Sequence, residues 1–470
     1  MAKKASRPTQ EGIFNNSLHS LGRMWREIAR LSGRNGSNKD SRPNALQTQI
    51  KACLAEQGGE VSARARAAQL AQSYLDFSAK ERLVFLQILA RNFGVENAKV
   101  DEAFNLLKHA SGEEELEANQ RTLRRALEPS RVALLRKFST LQSGPRFLVE
   151  LRNELLELKK AHPELRFLER DLKDLLIAWF DIGFLDLRSI NWDAPASLLE
   201  KLGAYEAVHR VRSWHDLKNR LDADRRCYAF FHPSMPNEPL IFVEVALVNG
   251  LASQIQVLLD VKAPVLDPEE ADTAIFYSIS NTQPGLAGIK FGNFLIKQVV
   301  DCLRREQPNL KQFSTLSPIP GFMGWLKQSL KENELDFIGS EKKKLKAVIG
   351  KIPTMEFLSE QLSSIKWAKN EQLAEALQPV LKRFGAIYLL KAKGRDSAHA
   401  LDPVAHFHLS NGASIQQLNW MADTSGKGLR ESCGLMINYH YRLDRIERHH
   451  EKYSGSGKIT VSSPVSGLLK

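Results

Sequence analysis

Residues 273–322 read TAIFYSISNTQPGLAGIKFGNFLIKQVVDCLRREQPNLKQFSTLSPIPGF, and four textures follow one another in that stretch. TAIFYSIS (273–280) is short, aromatic and β-branched, the composition of a buried strand. Glycines at 285, 288 and 292 come next, then an amphipathic helix from Phe294 to Arg305. FSTLS (313–317) reads as a second strand, ending in a loop stiffened by Pro318 and Pro320. Strand, glycine turn, helix and strand in this order predict an α/β unit. Glycines between a strand and a helix let backbone amides approach a phosphate, and the helix start adds partial positive charge. Their spacing fits neither the P-loop nor the dinucleotide fingerprint, so a plain tight turn is the competing reading.

Upstream, CYAFFH (227–232) and LIFVEVALV (240–248) have the same strand texture, bounded by Pro, Asn or Gly. Before about residue 180 the pattern is helical almost throughout. Leu18, Leu21, Trp25, Ile28 and Leu31 step by three and four, as do Leu165, Leu168, Leu172, Leu175, Leu176 and Trp179. Further helices are expected near 44–56, 62–75, 79–93, 100–110, 114–128, 130–142 and 147–161. The expected organisation is a disordered basic terminus (1–13), a helical bundle (14–180) and an α/β domain (181–470).

The chain of 470 residues is 43% hydrophobic and carries a formal charge of +12, which favours anionic partners without choosing among them. Part of the excess sits in residues 1–40, yet Trp25 fits the apolar stripe better than a stacking platform, so nucleic acid is not expected. No run of 18 apolar residues and no apolar leader point to a membrane span or secretion. Cys53, Cys227, Cys302 and Cys433 lie far apart, the pattern of a reducing compartment. The last residues lack a Ser-Lys-Leu address, so a cytoplasmic location is expected.

Two places hold candidate chemistry. Ser317 precedes a proline and stands among Leu316, Ile319 and Phe322, where a buried hydroxyl needs a partner. In AHFHLSNGASI, apolar and polar residues alternate around Asn411-Gly412, which predicts a β-hairpin with His406, His408 and Ser410 on one face. Two histidines on one face invite a metal, but no acid or cysteine at helpful spacing completes a site. A serine hydrolase would want a G-x-S-x-G elbow, which Ser317 lacks.

Taken in order, GFLDLRSINW, RRCYAFFHP, EPLIFVEVAL, the glycine turn, FLIKQVV, LSPIPGF, FHLSNGA, LNWMAD and SCGLMINYHY resemble the malonyl-CoA decarboxylase family, from about residue 75 to 445. The resemblance implies an acyl-CoA-binding domain like that of GNAT acyltransferases, a CoA thioester as substrate, and no metal or organic cofactor; a homo-oligomer, dimer or tetramer, is expected because a long helical domain with no chemistry of its own suits an oligomerisation surface. It implies Ser317, His408 and Tyr441 as catalytic residues, His408 because it stands directly before Leu-x-Asn-Gly-Ala. It implies substrate contacts from Gln283, Gly285, Ala287, Gly288, Ile289, Lys290, Phe291, Gly292 and Asn293, and from Asn411. Lys290 departs from the family, standing where animal enzymes have a glutamate, and is not assigned a catalytic role. A GNAT-type N-acyltransferase is the alternative on the same fold; it would need a base for an amine, and none is evident.

Overall fold

The computed structural model describes residues 42–55, 59–180, 182–289, 295–394 and 398–470. The stripe from Leu18 to Leu31, the basic terminus, and Lys290, Phe291, Gly292 and Asn293 lie outside the described residues. Two compact units divide the chain. One holds the described residues up to Asp186 with those of Phe231–Leu240 and Thr282–Phe291; the other holds Leu187–Phe230, Ile241–Asn281 and Gly292–Lys470.

In the first unit, eight α-helices run among the described residues from Pro43 to Trp179. Local signals set their ends: Ser78 and Glu81 form a reciprocal capping box at the start of Ala79–Asn92, and Pro145 opens Gly144–Leu158. Leu168, Leu172 and Leu176 are fully buried along one stripe of Arg166–Trp179, as their spacing predicts. Tyr74, Phe85, Phe138 and Phe147 interlock edge to face, with ring centroids 5.2 to 5.8 Å apart. Each such ring or leucine contributes about 1.5–3 kcal/mol by leaving water. The helical texture of the N-terminal third thus has an apolar core of its own.

A mixed sheet underlies the second unit, although Asp186 and the stretch Phe231–Leu240 of its strands group with the first. Its strands are β1 (Asp186–Ile190), β2 (Arg225–His232), β3 (Met235–Val248), β4 (Thr273–Asn281), β5 (Gln312–Thr315), β6 (Ser317–Pro318), β7 (Ser414–Asn419) and β8 (Met436–His440). Their order is β1-β2-β3-β4-β5-β8-β6, with β7 also on β8. β3 and β4 are antiparallel, whereas β4 and β5 are parallel and joined through the helix Leu295–Glu306, because a parallel pair needs a long crossover. Arg220 ties this sheet to the helix Trp214–Asn219, bonding Glu244 of β3 at 3.1 Å and Asp216 at 2.9 Å.

The β4–β5 ladder is short. It runs only from Thr273↔Gln312 to Phe276↔Thr315, after which the Leu316 amide makes a last bond to the Phe276 carbonyl. β4 continues to Asn281 while the other chain turns into β6, so the two strands part. A helical block followed by a mixed α/β domain is the expected fold class, and the parting of the strands opens the site.

Candidate active site

A cavity of about 240 Å³ lies where β4 and β5 separate. Phe276, Tyr277 and Ser278 of β4 wall one side, Ser317 and Pro318 another, and Val404, Phe407 and His408 a third. Apolar walls around a few convergent polar groups are the usual make-up of a small-molecule site.

The segment carrying His408 is an α-helix, Pro403–Ser410, and not the first strand of a hairpin. Asp402 caps it, accepting from the amides of Val404 (3.0 Å) and Ala405 (2.9 Å), with Pro403 in the first turn. Gly412 ends it with φ +80°, while its amide bonds Leu409 O and that of Ala413 bonds His408 O, both at 3.1 Å. A side chain at Gly412 would also overlap the Ile446 carbonyl, so glycine is required twice over. The Asn-Gly pair is therefore a helix stop; only from Ser414 onward does the chain enter a strand, β7.

This change separates the two histidines. Residues two apart share a strand face but lie about 200° apart around a helix. His406 faces the Tyr453 hydroxyl at 3.0 Å, and His408 faces the cavity. Ser410 bonds backward to the carbonyls of His406 and Phe407. Asn411 spends its side-chain NH2 on the Phe407 carbonyl (2.8 Å) and is not a wall of the cavity.

His408, Ser317 and Tyr441 come together. His408 Nε2 is 3.1 Å from Ser317 Oγ, His408 Nδ1 is 2.7 Å from the Tyr441 hydroxyl, and Ser317 Oγ donates to Thr315 Oγ1 at 2.8 Å. The Ser317 hydrogen is thus directed at Thr315, while the direction of the two links to the imidazole follows from its tautomer. Ring position is fixed further by Tyr439, stacked on the imidazole with centroids 4.6 Å apart. His408 is 3% exposed and Tyr441 1%, so burial governs both. It pushes the imidazole down to about 3 and raises the phenol, so both are neutral when the cavity is unliganded.

The glycine turn belongs to the first unit. Arg152, itself buried, donates to the carbonyls of Gly285 and Ala287 (2.8 Å to Ala287) and is balanced by Glu169 at 2.9 Å. Gly285 is glycine for packing: a Cβ there would sit 1.8 Å from the Val149 carbonyl oxygen. Gln283 Nε2 turns inward, to Pro239 O (3.3 Å) and Thr282 Oγ1 (3.2 Å), and Ile289 is buried. Gly288 is exposed, and the Lys173 ammonium lies 3.6 Å from where its Cβ would be. Gly288 with Lys173 is thus the part of this turn open to an anion, while Gln283 and Gly285 are occupied by the fold.

Thr315, Tyr439 and Asp402 escaped the sequence reading. The Asp402-Pro403 pair before an apolar run was a legible helix start; nothing local marks Thr315 or Tyr439, whose roles depend on strand pairing. Among the described residues, no three His, Cys, Asp or Glu side chains are grouped to hold a metal.

Comparison with known proteins shows the family. The model of the malonyl-CoA decarboxylase N-terminal domain matches residues 93–180, and that of the C-terminal domain residues 183–470. The mitochondrial malonyl-CoA decarboxylase of Rattus norvegicus is 42% identical over 410 residues, 83% of this chain and 82% of that protein. The crystal structure of malonyl-CoA decarboxylase from Rhodopseudomonas palustris superposes with a TM-score of 0.82 at 41% identity, covering 90% of this chain and 99% of that one. The enzyme from Agrobacterium vitis gives 0.81 at 38% identity, with coverage of 91% and 100%.

Proposed function

Because the chain belongs to the malonyl-CoA decarboxylase family, we propose that it converts malonyl-CoA to acetyl-CoA and CO2 in the cavity between β4 and β6, with Ser317, His408 and Tyr441 as the working groups. The observation that carries this reading is the buried Ser317–His408–Tyr441 chain, whose Ser317 and His408 line an apolar chamber. The C–C bond to the carboxylate breaks, its electron pair stays on the α-carbon as the thioester enolate, and CO2 departs. One proton must then reach that carbon.

His408 supplies it. In the free enzyme burial keeps the ring neutral. A malonyl carboxylate entering the same dry chamber is an opposite charge at close range, which raises the imidazole pKa and brings in a proton with the substrate. Ser317 Oγ accepts from Nε2–H and so holds the ring that faces the carboxylate. As CO2 leaves uncharged, the negative charge moves to the enolate and the imidazolium proton follows it. Each turnover consumes one proton from solvent. The apolar walls disfavour the charged carboxylate more than the neutral CO2 it becomes.

For the rest of the thioester, we assign the exposed Gly288 turn and Lys173 to the CoA phosphates; Lys290, Phe291, Gly292, Asn293 and Ile289 remain in the proposed contact set. The four free thiols suit a reducing cytoplasm. Exposed Phe104, Leu106 and Leu116 on the helical hairpin Asn97–Ala126, with Leu127 just past its end, suit self-association through the helical domain. No described helix is long and apolar enough to cross a membrane. Incubation with malonyl-CoA alone is the test: acetyl-CoA forms without an amine acceptor, and its absence with folded protein would refute the proposal.

A further inference from the structure

We propose that Thr315 is a positioning residue that sets the direction of the hydrogen bonds in the site, keeping Ser317 an acceptor towards His408. The proposal rests on the decarboxylase reading above and adds a residue to it.

The sheet is irregular beside Thr315. β5 pairs with β8 at Ser314↔His440 and β6 pairs with it at Ser317↔Ile437, and between those points side chains replace the backbone ladder. Ser314 Oγ donates to the Tyr439 carbonyl at 3.0 Å, and the Tyr439 amide donates to Thr315 Oγ1 at 3.1 Å. Asn438 holds the Thr315 carbonyl at 2.7 Å, and a β-branched side chain on so fixed a backbone has little rotamer freedom. Thr315 is fully buried, so no solvent competes for its oxygen.

A hydroxyl oxygen has two lone pairs. At Thr315 one takes the Tyr439 amide and the other takes Ser317 O–H at 2.8 Å. The single hydrogen of Ser317 is thereby directed away from His408. What Ser317 offers the ring, 3.1 Å away, is a lone pair, which calls for hydrogen on Nε2; Tyr441 O–H then meets Nδ1. A serine nucleophile needs the reverse polarity, Ser O–H donating to a bare nitrogen. Thr315 therefore selects the tautomer with the transferable proton on the cavity side, and it also gives the protonated ring an acceptor. The same serine–histidine pair without Thr315 could run in either direction.

The test is the tautomer of His408 in the whole enzyme, read from imidazole 15N shifts of 15N-histidine-labelled protein, with His408→Asn identifying the signal. In the unliganded wild type the Nε2–H form is expected to dominate. Thr315→Val keeps the shape but removes the acceptor; the Nε2–H form should lose its dominance, and kcat should fall about tenfold or more with KM within about threefold. Thr315→Ser should restore both. An Nδ1–H ring in the wild type overturns the proposal, a result that needs no variant to fold. So does Thr315→Val with unchanged tautomer and turnover, or failure of Thr315→Ser to rescue. Wild-type turnover of malonyl-CoA is scored separately, so failure of the proposal and failure of the decarboxylase reading are distinguishable.

Discussion

Replacing Tyr441 with phenylalanine removes one oxygen from a closed environment and leaves the ring. That oxygen lies 2.7 Å from His408 Nδ1, with both residues almost fully buried, so no water replaces it without rearrangement. When the imidazole is neutral, Tyr441 donates to Nδ1; once it is protonated, the hydroxyl turns and accepts from Nδ1–H. A neutral hydrogen bond contributes about 0.5–1.5 kcal/mol net and one to a charged group about 1.5–3 kcal/mol. The difference, about 1–1.5 kcal/mol, is what Tyr441 gives to the charged ring beyond the neutral one, equal to about one pKa unit. Loss of the hydroxyl lowers the pKa of the substrate-bound His408, so the alkaline limb of kcat moves to lower pH by about one unit. At pH values above the wild-type limb turnover falls about tenfold; on the acid side the two enzymes converge. Acetyl-CoA formation from saturating malonyl-CoA across the pH range measures this, with near-ultraviolet circular dichroism as the check on folding. An alkaline limb that stays in place in a folded Tyr441→Phe enzyme would refute the reasoning.

The remaining predictions concern stability and binding. Burial holds His408 down to about 3 and His209 down to about 4, so the folded chain refuses protons that the unfolded chain accepts near 6.5. Their stabilisation, of order a few kcal/mol each, is complete above the unfolded value and is lost as pH falls from about 6.5 towards 4 and 3; melting temperature should drop over that interval, less steeply in His408→Asn, and equal slopes in the two proteins would contradict it. Gly285→Ala forces a methyl against the Val149 carbonyl and should cost about 2 kcal/mol or more by chemical denaturation; an unchanged midpoint would show that the turn yields. Lys173→Ala should raise KM for malonyl-CoA about three- to tenfold with kcat unchanged, the mark of a phosphate contact outside the reacting centre; an unaltered KM removes Lys173 from the binding set.

How far the chain disclosed itself depends on the range of the interactions. TAIFYSIS, LIFVEVALV and CYAFFH became strands β4, β3 and β2 because an apolar, β-branched run bounded by breakers has few other options. The leucines of Arg166–Trp179 marked a helix just as plainly. AHFHLSNGASI misled because alternation and helix periodicity are both compatible with so short a run. Asp402 and Gly412, at the N-cap and just past the helix end, decided the matter from outside it. The meeting of Ser317, His408 and Tyr441, more than a hundred residues apart along the chain at its widest, was available only through family resemblance. Thr315 was out of reach altogether, since its hydroxyl matters through the pairing of β5 and β8. Gly285 looked like a phosphate ligand and is a packing glycine against the helix Gly144–Leu158.

The central claim is that the proton reaching the enolate comes from His408, whose ring faces the cavity, and not from His406, whose ring faces Tyr453. Rates of acetyl-CoA formation from malonyl-CoA by His408→Asn and by His406→Asn test it most directly. The account predicts a loss of about a hundredfold or more in kcat for His408→Asn, with CoA-thioester affinity within about threefold of wild type, and little change for His406→Asn. Near-normal turnover by His408→Asn, with the loss falling on His406→Asn, would contradict it.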